Sequence, residues 1–345
     1  MRPLPPTLLW GSAQAGSSLT LASTAWMVSG LSPSPLVNSL LPALATVPML
    51  LPLRRRAAGY GLQLASVLLL LGVSVAQLSG GVAKGWLLIP SLLAVLLFGI
   101  GAELSQLPLQ RRLLHRGGLS IEGLRLGSDL GALAGNLLTA LLFPAVRQFP
   151  PALLLLLPLG SAALPGQQDD STQPAPPEAP PPLERRCVLQ GLLFGGLFAL
   201  LPLWVRAVGA GNCFDFAMVL AAYGVGRSLQ GRLPLLKTWL RYGLMGVLLL
   251  LTQITPGWGA VLLFLPLGAL AAAADGALVE QVAPLGDTTL GWQVLQRSGA
   301  VGGLAGSLGM GLLSQVLGLG VAVPLQVLAF AGMALLAGRP RSAAG

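Results

Sequence analysis

Charge is scarce in this sequence: 9% of its 345 residues are Asp, Glu, Lys or Arg, against about 25% in an ordinary soluble domain. A water-facing surface cannot be assembled from so few charges. Histidine occurs once, as His115, and cysteine twice, as Cys187 and Cys213. Without a Cys/His cluster a zinc or haem centre lacks its usual ligands, so no metal and no other cofactor is expected. The two cysteines flank the seventh expected span, 26 residues and about 39 Å apart along its axis, which is too far for a disulfide. The phosphate-cradling loop G-x-x-x-x-G-K-[ST] is missing, which argues against ATP hydrolysis by this chain. No clustered His, Cys or paired carboxylates suggest an enzyme.

What is abundant is apolar surface. Hydrophobic residues make up 54% of the chain, and stretches of the roughly 20 residues needed to cross a bilayer recur from Thr7 to Ala337. The 46 Gly and 28 Pro are tolerable in membrane helices, where small residues permit close packing and neighbours satisfy backbone groups freed by proline. The net charge of +9 is spread between apolar segments, a pattern that orients helices in a membrane and does not call for nucleic acid. After Arg2 the first apolar stretch carries Gln14, Ser17, Ser18 and Thr20 and reads as a membrane helix, not as a cleaved signal.

Punctuation by charge, Pro and Gly places six spans at about 7–31, 36–53, 57–79, 86–106, 119–143 and 150–165. Six more follow at about 187–208, 212–230, 235–254, 257–279, 290–316 and 319–337. Residues 1–165 and 187–338 thus form two six-helix bundles, joined by a Pro- and acid-rich linker at 166–186 and followed by a tail at 339–345. With the N-terminus in the cytoplasm, fifteen Lys and Arg face that side and three, Lys84, Arg147 and Arg206, face the other. The expected location is the inner cell membrane, with both termini cytoplasmic. The halves also repeat one another. At an offset of 171 residues, Leu124–Leu142 matches the eleventh span at eight of nineteen positions, among them Gly131/Gly302 and Gly135/Gly306.

Six spans, a cytoplasmic linker and six more, with a basic loop between the second and third span of each half, resemble the major facilitator superfamily of transporters. Its loop motif, G-x-x-x-D-R-x-G-R-R, corresponds here to Pro52-Leu53-Arg54-Arg55-Arg56-Ala57-Ala58-Gly59-Tyr60, which keeps the arginines and lacks the acid. The second-half loop, Tyr223 to Arg232, is again basic and Gly-rich without an acid. The resemblance implies an all-α integral membrane fold of twelve transmembrane helices in two pseudo-symmetric bundles. It also implies that the fifth span abuts the eighth and the second abuts the eleventh.

Ionisable residues inside a bilayer cost several kcal/mol when unpaired, so each is a functional candidate. Glu122, Arg125 and Asp129 share one face of the fifth span. Asp129, near mid-membrane, is the candidate for proton coupling, and the competing reading is a neutralised triad that anchors packing. Arg54, Arg55, Arg56, Arg227 and Arg232 are candidates for a cytoplasmic gate, with Arg227 or Arg232 meeting Glu122 or Asp129; orientation of the protein by these charges is the simpler account. Arg297 could attract an anionic substrate or pair with Asp275, Glu280 or Asp287. Gln14, Asn38, Asn136, Gln190 and Tyr223 complete the substrate-path candidates, although helix-packing hydrogen bonds explain most such residues. Glu103 is expected to reach the cytoplasmic interface, and the tryptophans to form an interfacial belt. The expected function is secondary transport of a small solute by alternating access, with protons or another ion as coupling partner and efflux as one direction. The bilayer and the solute are the only partners expected of this monomer. A membrane assembly factor that keeps the fold without transporting is the alternative.

Overall fold

The computed structural model describes residues 5–51, 59–115, 118–142, 181–207, 209–229, 236–255, 257–282 and 288–338. These residues build α-helices. In chain order they are α1 (Pro6–Leu31), α2 (Pro35–Thr46), α3 (Gly59–Ser79), α4 (Lys84–His115) and α5 (Ile121–Leu141), then α6 (Arg185–Ala207), α7 (Cys213–Ser228), α8 (Thr238–Ile254), α9 (Trp258–Val282), α10 (Thr288–Leu317) and α11 (Ala322–Gly338). A 3₁₀ turn, Val47–Leu50, extends α2, and another, Leu319–Val321, leads into α11. Ten of the twelve expected spans coincide with a helix to within a few residues, and 86–106 falls in α4, which runs nine residues further, to His115. The remaining one, 150–165, lies outside the described residues, as do Arg54, Arg55, Arg56, Arg232 and the tail at 339–345.

Local sequence accounts for several boundaries. Ser34 starts α2 by accepting from the Val37 amide, and Ser120 starts α5 by accepting from Gly123 N at 3.0 Å. Asn212 and Asp215 form a reciprocal capping box at the start of α7, with Asn212 Oδ1 accepting from Phe214 N and Asp215 N while Asp215 accepts from Asn212 N. Proline at 42, 90, 108, 202 and 266 sits within helices that continue past it, which suits a chain whose freed carbonyls lie among neighbours.

Among the described residues, six helices are long and apolar enough to cross a membrane: α3, α4, α6, α9, α10 and the segment Leu319–Gly338 that contains α11. The shorter α2, with its 3₁₀ extension, and α8 are also apolar. Large apolar side chains such as Ile89, Leu262, Leu328 and Leu335 stand exposed on the outside. Polar residues such as Gln63, Gln190, Ser298 and Gln326 are buried within. That inversion of the soluble pattern fits lipid as the outer solvent, and the chain is a multi-pass membrane protein.

The packing pairs recur along the chain. α1 lies on α5 as α6 lies on α10, α3 on α4 as α8 on α9, and α2 on α4 as α7 on α9. Glycines make the closest approaches possible. A Cβ at Gly131 or Gly135 of α5 would meet the carbonyl of Gly11 or Ala15 at 2.3 and 2.4 Å. At Gly302 and Gly306 of α10, it would meet those of Val188 and Leu192 at 1.9 and 2.0 Å. The repeated G-x-x-x-G is thus a repeated contact in space. Across the two sets, α5 packs along α7 and α2 along α10.

Candidate functional site

Where α5 meets α7, Arg227 from the last turn of α7 reaches across. Its Nε donates to Asp129 Oδ1 of α5 at 2.9 Å, and its Nη1 lies 2.9 Å from Asp275 Oδ2 of α9. Asp129 is therefore tied to a helix of the other set, and its ion pair is not the purely local neutralisation that the triad reading supposes. The chain of bonds goes on: Gln190 of α6 donates through Nε2 to Asp275, and Tyr242 of α8 donates through its hydroxyl to Gln190 Oε1. Gln190 and Tyr242 are buried, so every member of this line is placed by helix packing. Tyr223, one turn before Arg227, lies beneath its guanidinium at 6.0 Å and meets Phe198 edge-on at 4.9 Å.

Arg125 also leaves its own helix. Nη2 donates to the Ala272 carbonyl at 2.7 Å, and the guanidinium lies 5.4 Å from the centre of the Trp292 ring. Glu122 occupies the first turn of α5, where a carboxylate favours the helix N-terminus. Arg297 donates to the Pro181 carbonyl. Asp275, expected as one of its partners, is held by Arg227 and Gln190 instead, because α9 continues to Val282 and carries Asp275 inside the fold. Asp287 lies outside the described residues.

Beside the Arg227 tie is a cavity of about 330 Å³ whose walls come from α1, α4, α5, α7 and α10. Gln14, Glu103, Gln106, Arg125, Asp129 and Trp292 are among the residues that line it. It occupies the end of the molecule that holds the N-terminal part of α1. Gln106 donates to Ser17 Oγ at 2.8 Å and accepts from Gln14 at 3.4 Å, so these amides set one polar wall. Glu103, expected at the membrane interface, instead faces this cavity, since α4 extends to His115 and leaves Glu103 more than three turns from its end. A second cavity, of about 390 Å³, is lined by Gln190, Phe194, Phe198, Tyr223, Arg227 and Asp275, together with Cys187. Arg227 is common to both.

At the opposite end of the fold a second arginine joins the two sets of helices. Arg206, in the last turn of α6, donates Nε to Ser29 Oγ at 3.1 Å and Nη2 to the Trp26 carbonyl at 3.0 Å. Its guanidinium lies 3.9 Å above the Trp26 ring, which in turn stacks on Phe216 at 5.7 Å. Gly30 leaves the space, as a Cβ there would come within 3.2 Å of the guanidinium. Trp26 therefore packs between helices and does not join an interfacial belt, and buried Trp10 donates to Ser128 Oγ at 2.7 Å. Trp86, Trp239 and Trp258 do stand exposed.

The remaining candidates are dispersed. Asn38 is buried and donates to the carbonyls of Ser32 and Ser34, so it fastens the α1–α2 turn and lines neither cavity. Asn136 is half-buried on α5 away from both cavities. Sequence reasoning missed Glu103 as a cavity residue and the clasp of Arg206 on Trp26. One signal was available for Asp275 and Glu103: they sit 172 positions apart, nearly the repeat offset, in corresponding helices α9 and α4.

The described residues thus form an all-helical, multi-pass fold with a cavity at the contact of two repeated sets of helices. No protein-family model and no curated protein matches the sequence. Among solved structures, the chain is similar to a bacterial homolog of the human lysosomal transporter Spinster in an inward-facing and occupied conformation. The TM-score is 0.59 at 14% identity, over 96% of this chain and 91% of that one. It is also similar to the nucleoside transporter NupG, with TM-score 0.57 and 13% identity over 96% and 95% of the two chains. The human organic anion transporter MFSD10 (TETRAN) aligns with TM-score 0.50 and 15% identity over 97% and 100%. The fold is that of the major facilitator superfamily transporters.

Proposed function

We propose that this protein is a secondary transporter of a small solute that works by alternating access between two six-helix halves, 1–165 and 187–338, in the inner membrane with both termini cytoplasmic. The observation that carries this reading is the polar cavity of about 330 Å³ shared by both sets of helices. A membrane assembly factor would gain nothing from a hollow at that contact and would be expected to fill it with side chains. In this reading Arg227, held by Asp129 and Asp275, is the tie at the cytoplasmic end. Arg206 on Trp26 is its counterpart at the outer end, and each must open when the other closes. Asp129 then serves the gate first, and its protonation would loosen the tie to Arg227 and couple ion movement to opening.

The test needs no substrate. With Cys187→Ser and Cys213→Ser as background, single cysteines are introduced as Gln293→Cys, at the cytoplasmic cavity, and as Ala22→Cys, buried one turn below Trp26. Labelling by a membrane-impermeant maleimide reports which end is open. Arg227→Gln should raise labelling at position 293 and lower it at 22, and Arg206→Gln should do the reverse. Labelling that neither variant moves would rule out alternating access.

A further inference from the structure

Of the charged side chains that line the cavity at the α1 N-terminal end, three are engaged by neighbours and one carboxylate is not. Arg227 is shared by Asp129 and Asp275, and Arg125 is engaged by the Ala272 carbonyl and the Trp292 ring. Glu103 lines the same cavity, is largely withdrawn from solvent, and has no ion-pair or hydrogen-bond partner among the described residues. The lining itself holds two carboxylates, Glu103 and Asp129, and two guanidinium groups, Arg125 and Arg227; because Arg227 is shared with Asp275 from outside the lining, Glu103 is left without a counter-charge of its own. The repeat makes the contrast sharper. Asp275, at nearly the equivalent position of α9, is closed on a guanidinium, whereas Glu103 of α4 opens onto empty volume.

We propose that the cavity binds an organic monocation, with Glu103 as its counter-carboxylate. The other walls select the kind of cation. Among the described residues no group of three or more His, Cys, Asp or Glu could hold a metal ion, and a hard metal needs several charged or carbonyl oxygens at once. The cavity offers instead one carboxylate that no guanidinium holds, amide side chains such as Gln14 and Gln106, and the indole of Trp292, whose ring already takes a guanidinium at 5.4 Å. A carboxylate beside aromatic and amide groups suits an alkylated or aromatic ammonium, which is weakly hydrated and gains from cation–π contact. An unpaired buried carboxylate is costly, and a cation that enters beside it removes that cost on binding.

This inference rests on the transporter reading, because the cavity must be the one that loads, but its test is a binding measurement that transport does not enter. Purified protein in detergent is titrated with benzyltrimethylammonium and, separately, with phenylmethanesulfonate, ligands of similar size and opposite charge, and tryptophan fluorescence is followed. The cation should quench saturably and the anion should not. Glu103→Gln, an isosteric change, should weaken cation binding at least tenfold, and Glu103→Asp should retain most of it. Unchanged cation binding in Glu103→Gln, or equal binding of the two probes, would overturn the proposal. Binding found without the reciprocal cysteine labelling would leave the cation site standing and remove the transport reading; reciprocal labelling without binding would do the opposite.

Discussion

At the scale of single residues, the structure separates charges that hold the fold from charges left open. Arg227 is mostly withdrawn from solvent, with a side-chain exposure of 23%, and its partners Asp129 and Asp275 are at 11% and 15%. Removing one member of a buried pair leaves an uncompensated charge and costs about 3–5 kcal/mol. Arg227→Gln strands two carboxylates, whereas Asp129→Asn or Asp275→Asn leaves Arg227 one partner. Thermal denaturation in detergent should therefore rank Arg227→Gln well below either single acid variant. The double acid variant should lose more than the sum of the two singles, since only it strands the guanidinium. Equal losses for all three single variants would show that Arg227 is held by something else.

At the scale of helices, the glycine pattern sorts into positions that bear contacts and positions that do not. Gly302 and Gly131 have a neighbouring helix carbonyl where a side chain would stand, at 1.9 and 2.3 Å. Gly243 of α8 and Gly309 of α10 have nothing within 4 Å. Gly302→Leu and Gly131→Leu should abolish a monodisperse peak in size-exclusion chromatography, because helix backbones in contact cannot move apart without losing the whole seam. Gly243→Ala and Gly309→Ala should keep the peak and raise stability by roughly 0.4–1 kcal/mol through reduced freedom of the unfolded chain. The same distinction limits what periodicity can reveal. Glycine was legible as a packing residue in the repeated G-x-x-x-G, while Gly30 shows its purpose only beneath the Arg206 guanidinium.

At the scale of the whole molecule, the two sets of helices meet through α5 on α7, α2 on α10, and the ties of Arg227 and Arg206 at opposite ends. Contacts so widely spread should outlast a cut in the covalent connection. With a protease site inserted within residues 166–186, cleavage in detergent should leave both fragments in one particle, seen as co-elution on a column and co-purification through a tag on one half. Fragments that separate after the cut would mean that the linker, not the interface, holds the halves together.

The sequence by itself determined the solvent and the elements. Nine per cent charge and apolar runs of bilayer length require lipid-embedded helices, because backbone polar groups have no other partner there. Helix ends followed from Ser120, Asn212 and similar caps, and the repeat from Gly131/Gly302 and Gly135/Gly306. The pairing of charges belonged to the tertiary structure alone. Arg227, Asp129 and Asp275 lie on three helices far apart in the chain, whereas proximity in sequence offers Asp275 only as one of three partners for Arg297. A span ending near residue 106 puts Glu103 at the membrane surface; α4 runs on to His115 and keeps it inside the fold. Spacing along a helix says which residues share a face; which helix that face meets is decided by packing, and with it which carboxylate is bound and which remains open.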